Sequence, residues 1–119
     1  MSFRRLLDRT VTIVPRIVTG KDSRGNDVIG DGTPIPDVPA GRDLLEATEE
    51  LAGRDEQART FVYFLPAALD DGSAVALSGY DWIVDEGKTF EVRGEPDFVV
   101  RRRGGRIHHI EAIAYRITG

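Results

Sequence analysis

The stretch that decides the fold runs from Tyr80 to Pro96 and reads YDWIVDEGKTFEVRGEP. Apolar and polar residues alternate on both sides of Glu86-Gly87-Lys88, and this period of two predicts a β-hairpin with one apolar face. Gly87 lies where the chain must reverse, and it can adopt the positive φ that a hairpin turn requires. The residues predicted to share the apolar face are Trp82, Val84, Phe90 and Val92.

The hairpin is predicted to end at Gly94-Glu95-Pro96, because Pro96 cannot donate a ladder hydrogen bond. Trp82 is the only tryptophan of the chain, so we expect this hairpin to supply the largest single block of core surface. The residues to which the sequence assigns a structural role are Trp82, Gly87, Phe90, Val92, Gly94 and Pro96.

The composition is that of one globular domain spanning residues 1–119, since 119 residues with 40% hydrophobic content support a single modest core. The net charge of −4 gives no global indication of nucleic-acid or membrane binding. The absence of cysteine excludes a disulfide framework and thiolate chemistry. No apolar run approaches the roughly 18 residues of a membrane span, and we expect no signal peptide at the N-terminus.

Further strand signals lie on both sides of the hairpin. Arg59–Pro66 is apolar on both faces, which is typical of a central strand covered on both sides. Thr10–Thr19 also reads as a strand, and Pro15 within it indicates an edge position or a bulge. With glycine- and proline-rich turns between the strands, the sequence predicts a mainly β fold: a small antiparallel β-barrel or sandwich with long loops and at most one or two short helices.

The C-terminal part is predicted to form a second hairpin, in which 98–103 and 106–118 pair around Gly104-Gly105. Along the last strand, Ile113 is expected on one face, and Ala112 and Ala114 on the other. Its tip is basic and can bind phosphates or the carboxylates of a partner. The sequence leaves three alternatives for the arginines of this tip: a solvated tip, a contact with a protein or a contact with DNA. These arginines are Arg101, Arg102, Arg103 and Arg106.

Residues 20–58 are predicted to form a long loop region. Within 20–39, turn-forming residues allow a short hairpin around Arg24-Gly25-Asn26. The order of its acidic and amide residues does not match an EF-hand loop, so we favour solvated turns over a metal site. The residues concerned are Asp22, Asn26, Asp27 and Asp31.

The segment Arg42–Ala58 is acidic. Apolar residues at helical spacing, a capping-box offset from Asp43 to Glu46, and Gly53 as a stop predict a short helix. Because so short a helix is marginal on its own, a surface helix and a mobile loop ordered only in an assembly both stay open. Its carboxylates are Asp43, Glu46, Glu49, Glu50, Asp55 and Glu56.

The sequence contains no motif that predicts catalysis: it has no glycine-rich phosphate loop, no nucleophile elbow and no zinc-ligand spacing. His108 and His109 are adjacent on a predicted strand and should point to opposite faces, so they should not chelate one ion together. We therefore expect a protein that is not an enzyme and that has no metal or cofactor.

Taken in order, these features resemble the head closure (head-to-tail stopper) proteins of long-tailed bacteriophages and phage-like particles. The resemblance covers nearly the whole chain. Its most specific part is Gly-x-x-Phe-x-Val-x-Gly-x-Pro at 87–96, preceded by the strand end Leu65-Pro66. The stretch Gly79-Tyr80-Asp81-Trp82 departs from the short Asp-Arg/Lys-Val stretch usual in the family, and the run of three arginines is a second departure.

The resemblance implies a small β-barrel that assembles with itself into a ring of six or twelve copies. Such a ring joins the portal or adaptor protein to a tail terminator or tail-completion protein, closes the DNA exit channel after packaging, and contacts packaged double-stranded DNA non-specifically. The implied location is the head–tail interface of the virion, after synthesis in the cytoplasm of the host bacterium, with no membrane contact.

Family members carry a loop that projects into the channel, and by position it falls within Gly20–Ala58. We hypothesise that it includes the acidic segment, because carboxylates that face DNA repel phosphate and let the duplex slide. Ring assembly also leads us to expect a partly exposed small-residue face at Ala112 and Ala114.

Two other classes of function compete with this interpretation. One is a small nucleic-acid-binding β-barrel that uses the Arg101–Arg106 hairpin and exposed aromatic side chains. The other is an enzyme accessory or small hydrolase, for which the sequence offers no nucleophile–base pair.

Overall fold

The computed structural model describes residues 7–48, 58–100 and 107–117, and within them it contains nine strands and no helix. The mainly β prediction is therefore confirmed. The strands are β1 (Arg9–Val14), β2 (Arg16–Lys21), β3 (Asp27–Asp31), β4 (Ile35–Thr48), β5 (Ala58–Pro66), β6 (Trp82–Asp85), β7 (Lys88–Val92), β8 (Asp97–Val100) and β9 (Ile107–Arg116).

The main sheet closes into a small antiparallel barrel. Its strand order is β5-β4-β1-β6-β7-β9, and a further β5–β9 pairing joins the two ends of that series. β8 continues the sheet beside β9, while β2 and β3 form a separate two-stranded sheet. Closure gives each strand of the six-strand circuit two neighbours, while β8 pairs with β9 alone.

The core fills the barrel interior with alternate side chains of the closed strands. Three rings meet edge to face at its centre: the centroid of Phe90 lies 5.5 Å from that of Phe61 and 5.7 Å from that of Tyr63. Val75 and Leu77, from the connector between β5 and β6, are also buried in this core. The largest apolar and aromatic side chains that are fully buried are Tyr63, Phe90, Ile13, Leu65, Ile83, Ile110, Val38 and Val92.

The β6–β7 hairpin forms as predicted, but the face assigned to Trp82 and Val84 is wrong. Asp85 pairs with Lys88 across a two-residue turn, in which φ is +52° at Glu86 and +75° at Gly87. Both central residues have positive φ, as a type I′ turn requires.

The sequence interpretation placed three residues in that turn, and a change of one residue in register moves side chains to the other face. Ile83 lies opposite Phe90 and points inward, whereas Trp82 lies opposite Glu91 and is only half-buried. Trp82 is therefore not the main core residue; Phe90 and Ile83 fill that place.

The predictions for β5 and β9 are confirmed in their main features. β5 lies between β4 and β9, and its inward face is fully buried while its outer face is half-buried. Ile113 lies on the opposite face from Ala112 and Ala114, as expected, and it is the alanines that face the interior. Ala112 and Ala114 are 1% and 0% exposed, however, so the expectation that they form a partly exposed ring face is wrong.

The region 20–58 contains more regular structure than predicted. Pro15 separates β1 from β2, and β2 and β3 form the hairpin around Arg24-Gly25-Asn26 that the turn residues allowed. The helix expected from Asp43 is wrong as far as Thr48, because these residues belong to β4 and pair with β5. A ladder to a central strand outweighs a helix of marginal stability. Residues 49–57 lie outside the described part of the chain.

The second predicted hairpin is confirmed for its strands, since β8 pairs with β9 as far as Val100 and Ile107. Gly104-Gly105 lies outside the described residues. In the part of the chain that the structure describes, no helix has the length and apolar character needed to cross a membrane.

Candidate functional site

A buried ionic cluster lies at the end of the barrel where β1 begins. The Oδ2 atom of Asp85 accepts hydrogen bonds from the Arg9 guanidinium at 2.7 Å, the Arg42 guanidinium at 3.0 Å and the Tyr63 hydroxyl at 3.0 Å. Asp85 is 1% exposed. The four residues come from β6, β1, β4 and β5, so a single carboxylate oxygen ties four strands together.

The electrostatic interactions of this cluster stabilise the arrangement of its four strands. Burial, followed by the neighbouring Asp85 carboxylate, raises the pKa of Tyr63 well above its ordinary value, while Arg42 opposes the shift. The Arg42 guanidinium also lies 4.2 Å from the centre of the Phe61 ring, a distance typical of a cation–π contact. Because both cations and the phenol converge on one oxygen, the cluster fixes strands rather than presenting a reactive group.

The strands β4 and β5 extend past this cluster as an arm, which we define as Asp43–Thr48 with Ala58–Thr60. Leu44 and Leu45 in this arm are each 55% exposed. Asp43 is exposed as well, and its carboxylate forms no ion pair within the described residues. The arm thus combines apolar and acidic surface at one end of the molecule.

The arm holds two of the six residues predicted to lie in the channel loop. Asp43 pairs with Val62, and Glu46 pairs with Thr60, so both belong to the ladder with β5, whose register shifts between Leu44 and Glu46. The other four, Glu49, Glu50, Asp55 and Glu56, lie outside the described residues.

At the opposite end of β1 the chain leaves the barrel to form the projecting hairpin, defined as β2 and β3 with their turn (Arg16–Asp31). Four large apolar side chains in it are 43–53% exposed: Ile17, Val18, Val28 and Ile29. Val18 and Ile29 are direct cross-strand neighbours. A two-stranded sheet with this exposure is at best marginally stable alone in water.

Polar contacts hold the base of the projecting hairpin against the barrel. The backbone N–H of Arg16 donates to Oδ1 of the buried Asp81 at 3.0 Å, and the Arg16 guanidinium stacks 3.9 Å from the centre of the Trp82 ring. Arg16 also pairs with Asp31 across the two strands. Trp82 therefore serves the attachment of the hairpin rather than the barrel core.

The aspartates of the hairpin have structural partners, which agrees with the preference for turns over a metal site. Asp27 pairs with Lys21 at 2.6 Å. Asp22 accepts the backbone N–H groups of Arg24 and Asn26, each at 2.9 Å, and these bonds lower the pKa of Asp22. Among the residues that the structure describes, no group of three or more His, Cys, Asp or Glu side chains could hold a metal ion.

The basic tip of the second predicted hairpin lies outside the described residues, so Arg101, Arg102, Arg103 and Arg106 stay predictions. The two histidines that follow do not point to opposite faces: their Nδ1 atoms lie 2.7 Å apart. The ladder between β8 and β9 shifts register between Val99 and Val100. Such an irregularity bends a strand and redirects its side chains, which local alternation does not anticipate.

A cavity of about 420 Å³ lies outside the barrel, between the start of β4 and the connector after β5. Its lining combines apolar and proline residues with three carboxylates, Asp37, Asp70 and Asp71. Because carboxylates repel anions, this lining is unsuited to a phosphate or nucleotide.

Sequence reasoning missed the ionic cluster and the projecting hairpin's apolar surface. A signal for the first was present: with a two-residue turn, Asp85 falls on the same face as Ile83 and so becomes a buried carboxylate that requires cationic partners. The apolar surface of the projecting hairpin had only a weak sequence signal, namely isolated apolar residues within a region rich in glycine and aspartate.

The fold is shared with chains of other solved structures. A chain in the virion of a native gene transfer agent particle matches with a TM-score of 0.66 and 16% identity over 95% of this chain and 97% of that chain. The phage-like element PBSX protein xkdH of Bacillus subtilis matches with a TM-score of 0.56 and 19% identity over 91% of this chain and 92% of that chain. The expected likeness to proteins of phage-like particles is thus confirmed at the level of the fold. No protein-family model matches the sequence, and neither does any curated protein.

Proposed function

We propose that this chain is a structural protein of a phage-like virion, and that it acts as a ring component between the portal side and the tail. The supporting observation is a fold shared over nearly the whole chain with a component of a gene transfer agent virion. Its partners in this proposal are further copies of itself, a portal-side adaptor, a tail terminator or tail-completion protein, and the packaged DNA.

The geometry suits a component that works by contact. The closed barrel and its ionic cluster form a rigid body, while the projecting hairpin and the arm extend from its two ends and expose apolar side chains. Exposed apolar surface of this kind marks protein interaction sites. The chain therefore has one self-sufficient part and two parts that gain stability when they are covered.

The acidic arm supplies the part of the proposal that concerns DNA. Asp43 and Glu46 belong to a ladder that runs past the start of β1, in the region where the sequence interpretation predicted a channel loop. If this arm lines the bore of a ring, its carboxylates repel the phosphate backbone and lower the affinity for DNA. Such a surface lets DNA pass without binding it.

Deleting the gene in a particle-producing strain, with the wild-type gene returned as the control, tests the proposal. We expect heads that package DNA but lose it and carry no tails, as seen by electron microscopy and by nuclease sensitivity of the DNA. The returned gene should restore tailed, nuclease-resistant particles. Tailed and DNA-filled particles from the deletion strain would show that the proposal is wrong.

The nucleic-acid-binding alternative predicts a different result with the purified chain. Binding through four arginines should fall steeply as salt rises from about 50 to about 200 mM, because each neutralised phosphate releases counterions. A ring component with acidic surface should bind free double-stranded DNA hardly at all. Tight, salt-dependent binding measured by fluorescence anisotropy would favour the alternative.

A further inference from the structure

The chain exposes two unlike apolar patches that lie at opposite ends of β1. The hairpin patch consists of the cross-strand pair Val18 and Ile29, with Ile17 and Val28 exposed beside it, and the arm patch consists of Leu44 and Leu45. β2 follows directly on the Val14 end of β1, whereas β4 pairs Ala40 with Arg9 and then runs on past that other end. The length of β1, about 3.3 Å per residue, therefore separates the starting points of the two projections.

Two different patches on one chain fit one type of self-association better than the other. A two-fold dimer joins the same patch on both copies, whereas a head-to-tail contact joins two different patches and generates a ring when the rotation closes. In a head-to-tail ring, each copy covers both of its patches with the same repeated contact. An isologous dimer would leave one patch of each copy in water.

The charges beside the patches are complementary. In the hairpin, Lys21 pairs with Asp27 and Arg16 pairs with Asp31, which leaves the exposed Arg24 at the turn as the one cation without a carboxylate partner in the described residues. Beside the arm patch, Asp43 is a carboxylate without a cationic partner in the same described ranges. A contact between hairpin and arm can therefore bring opposite charges together in addition to covering apolar surface.

We propose that the hairpin patch of one copy packs on the arm patch of the next copy, in a head-to-tail contact repeated around the ring. This inference rests on the proposed function, since it names the surfaces through which the proposed ring assembles. It assigns the projecting hairpin to contacts between copies rather than to the adaptor or the tail.

Cysteine cross-linking in assembled particles tests this contact, because the chain has no cysteine of its own. The deletion strain is complemented with a double variant, Ile29→Cys with Leu45→Cys, and purified particles are oxidised and separated on a non-reducing gel. A head-to-tail contact links each copy to two neighbours, so we expect a ladder of dimers, trimers and larger species. Both positions are exposed, so these substitutions should not disturb the core.

Each single variant alone should give only monomers, and Ile29→Cys with Ala76→Cys is a matched control because Ala76 is exposed but belongs to neither patch. Dimers from a single variant would show an isologous contact and overturn the inference. Tailed, DNA-filled particles without a ladder would also overturn it while leaving the proposed function intact. Wild-type particles that lack this chain altogether would overturn both.

Discussion

At one end of β1 the barrel buries a carboxylate with two guanidinium groups, and at the other end the chain leaves the barrel and exposes four apolar side chains. The buried groups pair with one another, since Arg9, Arg42 and Tyr63 all donate to Oδ2 of Asp85, while Oδ1 of Asp85 and Nε of Arg9 have no hydrogen-bond partner among the described residues. The exposed groups have no such partners among the residues that the structure describes. This difference supports the proposal that the projecting hairpin contacts a second molecule, whereas the barrel buries its core within one copy.

The strongest test of the buried end is Asp85→Ala. This change leaves two guanidinium groups with reduced solvation and no carboxylate, and removing one partner of a buried ion pair costs about 3–5 kcal/mol. We expect a loss of that order in the free energy of unfolding, measured by urea denaturation of the purified chain.

Glu86→Gln is the matched control, because the Glu86 side chain is 68% exposed on the adjacent residue. A change at an exposed position should stay within about 0.5 kcal/mol. If Asp85→Ala were as mild as this control, the cluster would not hold the strands together, and the contrast between the two ends would be lost.

A smaller and pH-dependent effect is expected for Tyr63→Phe. The variant loses one hydrogen bond to Asp85, which is worth about 1 kcal/mol. Because burial raises the pKa of Tyr63 in the folded chain, the folded chain keeps a proton that the unfolded chain releases above about pH 10. Stability from this source is therefore fully present below about pH 10 and is lost as the pH rises further.

We consequently expect the difference in the free energy of unfolding between wild type and Tyr63→Phe to be smaller at about pH 11 than at about pH 8, as measured by urea midpoints. Tyr80→Phe is the control, since Tyr80 is 72% exposed and should keep the wild-type dependence on pH. An equal gap at both pH values would mean that the Tyr63 hydroxyl is not held in a buried environment.

The strands of the barrel could be predicted from the sequence because their signals are local. Alternation across β5 and β9, together with stops such as Pro66 and Pro96, fixes where a strand forms and which residues share a face. The face of Trp82 could not be predicted in the same way, because it depends on whether the turn at Gly87 holds two residues or three. The two-residue turn places Asp85 on the inner face of the barrel and Trp82 on its outer face.

The ionic cluster and the hairpin contacts depend on closure of the barrel, which local patterns do not reveal. Arg9 and Asp85 are 76 residues apart and meet only because β1 pairs with β6. Likewise, Arg16 lies beside Trp82 because β1 ends at Val14, which pairs with Trp82, and Pro15 separates it from β2. The helix predicted from Asp43 fails for the corresponding reason: its competitor is a ladder with β5, which begins ten residues after the end of β4.

The smallest effect on stability is expected at the exposed end, for Val18→Thr with Ile29→Thr. Threonine keeps the preference for β-strands, and the two residues form an exposed cross-strand pair, so the free energy of unfolding should change by no more than about 0.5 kcal/mol. Incorporation of the variant into particles should nevertheless fall, because in the proposed ring a second copy covers this apolar patch. Val38→Thr should show the opposite pattern, a loss of stability with the hairpin patch unchanged. Val38 is 0% exposed, and a buried hydroxyl without a partner costs about 1–3 kcal/mol. Urea denaturation and quantitative blots of purified particles measure the two quantities. If the hairpin variant lost as much stability as the core variant and assembled normally, the hairpin would belong to the body of the barrel, and the exposed patch would not be an interaction surface.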